Sequence, residues 1–412
     1  MGKLLKIAVR NLSRYKRRTL LTASLITLGV VFVLVFVSVS GSFKSMIISQ
    51  ITDSMLGHVQ VHQRGYVASI DNLPLNLNLP LPAWKRLESI LGRQTPIEAY
   101  SPRVKFGGLF SNFAETTNIR LNGVDPDREF KTVPLLPSRV KTGKKTLGRG
   151  EIWIPELLAR GMNVKVGDPV VIVATNKDGS VNGRQFTVAA VLDSATGPGG
   201  RDGYLHLEDA LETLRVDAME VSEVAVRLKT PREADSFSRK LESLLAQEKN
   251  PQGMPIFEVH SWEKLTPFYN IARMIEVMTF FIKLMLIAVV LISIMNVMIM
   301  AVYERVQEIG TIAAIGTQPG KILSMFLLEG FCLGAIGVVL GNLLALVIIW
   351  ILKLSRITFD FGMQKDLVLS PTVSPADLLV TSFIVVFVAV AASLQPALKA
   401  SRMEPIQALR HV

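Results

Sequence analysis

Four long apolar runs interrupt an otherwise mixed sequence. Each reaches the roughly 20 residues that a helix needs to cross a bilayer. The runs extend from Thr19 to Phe43, from Phe280 to Val302, from Ile322 to Leu352 and from Leu378 to Leu398. The pattern predicts a membrane protein with four transmembrane α-helices and one long segment, 44–274, between the first and second spans.

Segment 44–274 has the short periodic runs of a mixed α+β domain. Alternating or brief apolar stretches predict strands at His58–Gln63, Val104–Phe110, Thr117–Asn122, Val170–Ala174 and Gln185–Leu192. Helical patterns occur at Ala83–Leu91, Pro155–Gly161, Leu207–Leu214 and Arg232–Glu248. We expect Asn72–Pro82 to be an extended linker, and expect Ser45–Met55 and Trp262–Ile282 to continue the adjoining spans as a helical stalk.

Basic residues flank the first and last spans. Before the first span no acidic residue accompanies Lys3, Lys6, Arg10, Arg14, Lys16, Arg17 and Arg18. Beyond the fourth come Lys399, Arg402 and Arg410 against Glu404. The positive-inside rule then predicts two cytoplasmic termini in a bacterial inner membrane, with 44–274 on the periplasmic side. This accounts for much of the net charge of +11, so we do not expect a nucleic-acid partner.

The predicted organisation follows from these segments. Residues 1–43 hold a cytoplasmic amphipathic helix and the first span, 44–274 the periplasmic domain, and 275–412 the remaining three spans. The last part includes a cytoplasmic connection, 303–321, called the coupling segment below, and a short outer loop, 353–377.

Residues 3–18 show helical amphipathicity. Their apolar face carries Leu4, Leu5, Ala8, Val9, Leu12 and Tyr15, and the opposite face is basic. Such a helix lies on the membrane surface with its cations near anionic lipid, here through Lys6, Arg10, Arg14 and Arg17. The alternative is a charged flank that only orients the first span.

Chemical sites are not indicated. The single cysteine excludes an internal disulfide, and the five histidines have no close spacing that would indicate metal ligands. Neither Ser180 nor Ser194 lies in a Gly-x-Ser-x-Gly context. The glycine-rich run 197–203 lacks the Gly-Lys-Ser/Thr ending of a phosphate loop. We therefore expect no catalytic residue, no metal and no cofactor bound by this chain.

The coupling segment carries the most specific pattern. Glu304 and Glu308 are an i,i+4 pair of like charges, which weakens an isolated helix. A cationic partner surface explains them better than self-stabilisation does. Ile309, Ile312, Ala313 and Ile315 add an apolar complement, and Gly316 begins the helix exit. A polar connector kept soluble by its charges is the alternative.

The third span contains an ionisable residue and a row of small residues. Glu329 lies inside this span, where a carboxylate usually faces protein or water. We expect a hydrogen bond to a neighbouring helix, with ion translocation as the alternative. The row of glycines, at 330, 334, 337 and 341, permits close helix packing within the chain or against a second subunit.

Together these segments resemble FtsX-like or MacB-like ABC transporter permeases. The resemblance rests on Asn11–Thr22, Glu304–Gly316, Phe326–Gly341 and Pro396–Arg410, with Leu158–Val173 as a weaker match in the large domain. Length and the single large domain are similar to the lipoprotein-releasing (LolC/LolE-like) branch, although the coupling segment is closer to the general family pattern.

The resemblance implies a two-subunit permease, homomeric or heteromeric, with two cytoplasmic ABC ATPase subunits that hold ATP and Mg. The ATPase-coupling residues would be Glu304, Arg305, Glu308, Ile309, Gly310, Ala313 and Gly316. ATP-driven motion would pass through the spans (mechanotransmission) to release or export a lipoprotein, lipid or other hydrophobic substrate, with a periplasmic carrier as a further partner. The alternative is a signalling scaffold that activates a periplasmic protein such as a cell-wall hydrolase.

Overall fold

The computed structural model describes residues 2–194, 201–361 and 364–404. The chain divides into two compact units. The membrane unit comprises residues 1–45, 274–358 and 368–412, and the sheet unit comprises residues 46–273 and 359–367. Residues 195–200 of the glycine-rich run and 405–410 of the family-like C-terminal signature lie outside the described residues.

The α-helices of the described chain fall into long and short classes. In order they are α1 Gly2–Arg14, α2 Lys16–Ile51, α3 Leu81–Leu91, α4 Pro126–Thr132, α5 Glu156–Gly161, α6 Leu207–Thr213, α7 Ala234–Leu245, α8 Trp262–Leu265, α9 Phe268–Glu304, α10 Val306–Ala314, α11 Pro319–Leu354 and α12 Pro375–Ser401. The helices α2, α9, α11 and α12 are long and apolar enough to cross a membrane. They contain the predicted spans, which confirms the four-span fold class.

The strands lie mainly in one sheet. They are β1 Val59–Gln63, β2 Leu79–Pro80, β3 Ile97–Ser111, β4 Thr116–Val124, β5 Val140–Gly143, β6 Glu151–Pro155, β7 Pro169–Thr175, β8 Val181–Leu192, β9 Gly203–His206, β10 Glu220–Val221, β11 Glu223–Leu228, β12 Phe257–Ser261, β13 Thr358–Phe361 and β14 Gln364–Val368. The main sheet has the order β12-β1-β11-β3-β4-β9-β6-β8-β5, and β7 pairs with β3 and β8. All predicted strands are present in this α+β unit.

The hydropathy pattern of the sequence does not predict several of the strands. The clearest is β11, whose Glu223 is buried and whose Arg227 is half-buried, because both form ion pairs with other parts of the sheet unit. Charged residues at these positions give the run the composition of a surface segment. The strand is therefore identified by its partners rather than by its own hydropathy.

Two predicted connections are wrong in part. The expected linker Asn72–Pro82 contains a 3₁₀ turn, pairs at β2 with β10, and already begins α3 at Leu81. The expected helix Trp262–Ile282 is interrupted at Thr266, which has φ −144° and ψ 139°. The cause is Pro267, since proline disfavours helical geometry in the residue before it. The continuation beyond the first span is helical as expected, and ends in a π-helical turn, Thr52–Leu56.

Glycines let the helices of the membrane unit approach closely. A Cβ at Gly330 would lie 2.0 Å from Ser393 Oγ, and one at Gly337 would lie 2.5 Å from Ile26 Cγ2. The third span therefore packs against α12 at one level and α2 at another. The small-residue row serves contacts within this chain, which was one of the two expected uses.

Candidate functional site

The helix is broken at Arg305, near the start of the coupling segment. Its backbone has φ −111° and ψ 16°, which separates α9 from α10. The break redirects the chain directly after the second span, and the turn after α10 ends at Gly316 with φ 93°, a conformation that glycine adopts without strain. The break at Arg305 and the turn at Gly316 thus define the short helix α10 between the long helices α9 and α11.

Arg305 forms a buried ion pair with Glu329. Its Nη1 lies 2.9 Å from Glu329 Oε1, and the two side chains are 3% and 1% exposed. Asn11 Nδ2 donates a hydrogen bond to the same carboxylate oxygen at 2.8 Å. One carboxylate therefore connects α1, the start of the coupling segment and the third span. This confirms the expected hydrogen bond from Glu329 to a neighbouring helix.

Tyr15 adds a second connection. The Arg305 guanidinium carbon lies 4.4 Å from the centroid of the Tyr15 ring, a cation–π contact. The Tyr15 hydroxyl donates to Glu308 Oε1 at 3.3 Å, and Arg14 Nη1 lies 3.5 Å from the same oxygen. The turn between α1 and α2 therefore contacts both ends of the first turn of α10.

The ion pair is incompletely hydrogen-bonded. Within the described residues, Arg305 Nε, Arg305 Nη2 and Glu329 Oε2 are buried without a hydrogen-bond partner. Buried polar atoms without partners cost free energy. The pair therefore connects the coupling segment to the third span without the full set of hydrogen bonds that would make the connection rigid.

The expected coupling residues divide between two faces. Arg305, Ile309 and Gly310 are buried, and Ile309 belongs to the apolar core of the membrane unit. Ala313 is partly buried, whereas Glu304, Glu308 and Gly316 are exposed. Ile312 and Ile315 are also exposed, the latter by 81%. The outward face is thus acidic at one end and apolar at the other.

The surface helix packs by its apolar side. Leu12 lies in the core of the membrane unit, and Ala8 is fully buried. Arg10, Arg14 and Arg17 are exposed, and the side chain of Lys6 lies outside the described residues. The amphipathic pattern is therefore a real structural feature and not only a topology signal.

Sequence reasoning missed Asn11 and the site role of Tyr15. Asn11 and Glu329 are 318 positions apart, so no local pattern indicates their contact. A weak signal did exist, because Asn11 is an uncharged polar residue on a helix whose residues are mostly apolar or charged. Of the rejected nucleophiles, Ser180 donates to Asp178 within a turn, and Ser194 is buried.

Comparison with known proteins gives matches over both units. The family of MacB-like periplasmic core domains matches residues 19–244, and the FtsX-like permease C-terminal family matches residues 280–405. The lipoprotein-releasing system transmembrane protein LolC of Neisseria meningitidis is 24% identical over 95% of this chain and 94% of its own length. LolE of Haemophilus influenzae, also a lipoprotein-releasing system transmembrane protein, is 25% identical over 79% of this chain and 80% of its own length.

A further relative matches over a shorter part of the chain. The macrolide export ATP-binding/permease protein MacB of Agrobacterium fabrum is 31% identical over 35% of this chain and 22% of its own length. The first family covers more than half of the chain, and the second covers most of α9 and all of α11 and α12. The chain therefore belongs to the MacB-like and FtsX-like family of ABC transporter permeases, as an inner-membrane protein of the LolC, LolE and MacB type.

Proposed function

We propose that this chain is a permease subunit that converts ATP hydrolysis by a separate cytoplasmic ATPase into a conformational change of its sheet unit on the periplasmic side. Both termini and the coupling segment would then be cytoplasmic, in accord with the basic flanks. The chain would work with a second permease subunit and two ATPase subunits, and ATP and Mg would be bound only by the ATPases.

The observation that carries this proposal is the connection centred on Glu329. The carboxylate accepts hydrogen bonds from Arg305 and Asn11, which belong to the coupling segment and the surface helix. A displacement of α10 by a docked partner would therefore act directly on the third span and on α1. A merely polar connector would not need a buried ion pair at the break that precedes its helix.

The docking face would be formed by the exposed residues of the coupling segment. Glu304 and Glu308 supply negative charge, and Ile312 and Ile315 supply an apolar contact at the other end. Arg305 and Ile309 are buried and would transmit the displacement rather than touch the ATPase. A complementary groove would be basic at one end and apolar at the other.

The cargo we propose is a lipoprotein or another lipid-bearing substrate. Its support is the likeness to LolC and LolE, which extends over most of this chain and includes the sheet unit. The substrate would be taken from the outer leaflet and passed to a periplasmic carrier. It would not have to cross the membrane through the permease.

Affinity purification of the full chain in mild detergent, followed by mass spectrometry, tests the proposal. We expect an ABC ATPase to co-purify together with a lipoprotein or lipid. Retention of an ATPase with a periplasmic hydrolase would instead support the signalling function. Absence of any ATPase under conditions that preserve the fold would contradict both.

Matched variants locate the docking face. Glu308→Lys should abolish co-purification of the ATPase, because it places a cation where a cationic groove is expected. Tyr15→Phe removes the hydrogen bond to Glu308 but leaves the outward face intact, so the ATPase should be retained. Glu233→Lys makes the same charge change at an exposed position of the sheet unit and should have no effect. Normal ATPase binding by Glu308→Lys would refute the assignment.

A further inference from the structure

A polar row crosses the sheet unit on neighbouring strands. His62 on β1 is the register partner of Glu258 on β12 and of Glu223 on β11, and Glu223 is in turn the partner of Arg103 on β3. Residues paired in this way lie on the same face of a sheet. His260 follows Glu258 by two residues and therefore shares that face.

His62, Glu258 and His260 converge at one end of this row. One ligand atom from each of the three side chains lies within 4.8 Å of the others, and the two imidazole centroids are 6.1 Å apart. Ligands bound tetrahedrally to zinc at 2.0–2.1 Å are about 3.4 Å apart. A small movement of the partly exposed Glu258 and His260 side chains would close the difference.

His62 is buried with both ring nitrogens unsatisfied. Its side chain is 0% exposed, and neither Nδ1 nor Nε2 has a hydrogen-bond partner among the described residues. The Tyr66 ring stacks on the imidazole at 5.2 Å and fixes its plane. Nδ1 of His260 is likewise buried without a partner. Such atoms are costly unless something binds them.

The surroundings match those of a metal ligand set. The Glu258 carboxylate accepts hydrogen bonds from the backbone N–H groups of Gly65 and Val67, at 3.1 and 2.9 Å, which orient it. His62 Nε2 lies 3.8 Å from Glu223 Oε2. With Nδ1 on a metal, the Nε2–H of His62 would face this carboxylate, the arrangement by which outer carboxylates orient metal-bound histidines.

We propose that His62, Glu258 and His260 form a binding site for a divalent transition-metal ion such as zinc, which takes ligand sets of two histidines and one carboxylate. Three protein ligands leave one coordination position for water or for a partner's side chain. The half-buried Glu258 and His260 give the ion access from solvent. The ion would fasten the edge strand β12 to β1.

Burial also acts on the imidazole of His260, since desolvation lowers its pKa below the ordinary value. No local pattern indicates this cluster, because the two histidines are 198 positions apart and the β1–β12 pairing brings them together.

Zinc binding by the full chain tests the site. The protein is purified in detergent with a tag that contains no histidine, dialysed against a chelator and then titrated with Zn²⁺, and bound metal is measured by mass spectrometry. We expect a single zinc ion per chain. His260→Gln and Glu258→Gln should each weaken binding by at least about tenfold, which is what loss of an outer-shell partner alone costs.

The control removes a histidine elsewhere. His206 caps α6, its Nδ1 accepting from the Glu208 N–H, and His206→Asn keeps a capping acceptor. This variant should bind zinc as the unaltered chain does. Co²⁺ provides a second readout that needs no variant. Bound in a tetrahedral site of nitrogen and oxygen ligands, Co²⁺ gives a visible absorption band. Absence of both zinc binding and this band in the folded unaltered chain, or unchanged zinc affinity in folded His260→Gln, would overturn the proposal.

Discussion

Arg305 Nη1 and Glu329 Oε1 lie 2.9 Å apart in a nearly solvent-free environment, one in the coupling segment at the break before α10 and the other in the third span. Glu329 is ten residues beyond Pro319, about 15 Å along the helix axis at 1.5 Å per residue. Arg305 therefore ties α10 to a point well inside α11 rather than to its end.

Removal of one partner of this pair should destabilise the chain strongly. Arg305→Met leaves Glu329 as a buried carboxylate that keeps, among the described residues, the hydrogen bond from Asn11, and removal of one partner of a buried ion pair typically costs about 3–5 kcal/mol. The double variant Arg305→Met with Glu329→Leu should recover most of that loss, because no buried charge remains. Denaturant unfolding of the purified full chain measures both. Equal stability of Arg305→Met and the unaltered chain would show that the pair contributes nothing.

Replacement of a helix glycine by alanine should change the stability of the chain according to the space around that glycine. Gly330→Ala places a methyl group against Ser393 and Ala389 of α12, and overpacking of this kind costs about 1–3 kcal/mol. Gly41→Ala meets no atom within 4 Å and removes a flexible residue from a helix, so it should stabilise by about 0.5–1 kcal/mol. Thermal unfolding of the two variants side by side checks the opposite signs.

The charged row in the sheet unit should make stability depend on pH. Burial alone would raise the pKa of Glu223, but the charges of Lys105 and Arg103 hold that pKa well below the ordinary value. An unfolded glutamate has a pKa of about 4.3. The stabilisation by ionised Glu223 is therefore complete above about pH 5. It is lost as the pH falls through the range between the pKa of Glu223 in the unfolded chain and its pKa in the folded chain.

Glu223→Gln is the matched control for this dependence. The variant removes the titrating carboxylate and leaves Lys105 without its 2.9 Å partner, so it should be less stable at neutral pH. Its unfolding free energy should also change less between pH 5 and pH 3 than that of the unaltered chain. If the unfolding free energies of the two proteins changed in parallel with pH, Glu223 would not be responsible for the pH dependence.

Asp53 anchors the π-helical turn Thr52–Leu56 of the sheet unit. Burial opposes its ionisation, but hydrogen bonds from His58, Ser49 and Arg227 outweigh that effect and lower the pKa of Asp53. Asp53→Asn weakens the 2.5 Å contact with Arg227, and loss of a charged hydrogen bond costs about 1.5–3 kcal/mol. Thermal unfolding measures this cost.

If motion passes through this turn, cargo release should be more sensitive to Asp53→Asn than ATP hydrolysis is. Both are measured in a reconstituted complex of permease and ATPase. Lys145→Gln, at an exposed site of the same unit, is the control and should change neither rate. Equal loss of release and hydrolysis in Asp53→Asn would argue that the turn serves stability alone.

Local patterns predicted the elements whose signals are themselves local. The spans follow from apolar runs, and β7 and β8 follow from alternation on either side of the Lys177–Ser180 turn. The prediction of a linker before α3 is wrong in part because prolines favour an extended chain in a local pattern but also occur at helix starts. In the structure Pro80 is the N-cap and Pro82 lies in the first turn of α3, where proline is favoured.

The sequence by itself determined the four membrane-length helices, the α+β class of the large domain, the basic surface helix and the short charged helix between two spans. Hydropathy and helical period are properties of neighbouring residues, so these features need no knowledge of distant contacts. Only the tertiary structure decided that Asn11 and Arg305 meet at Glu329, and that His62 lies beside His260. Those contacts depend on which helix faces and strand edges pack together, and packing is set by the whole chain at once.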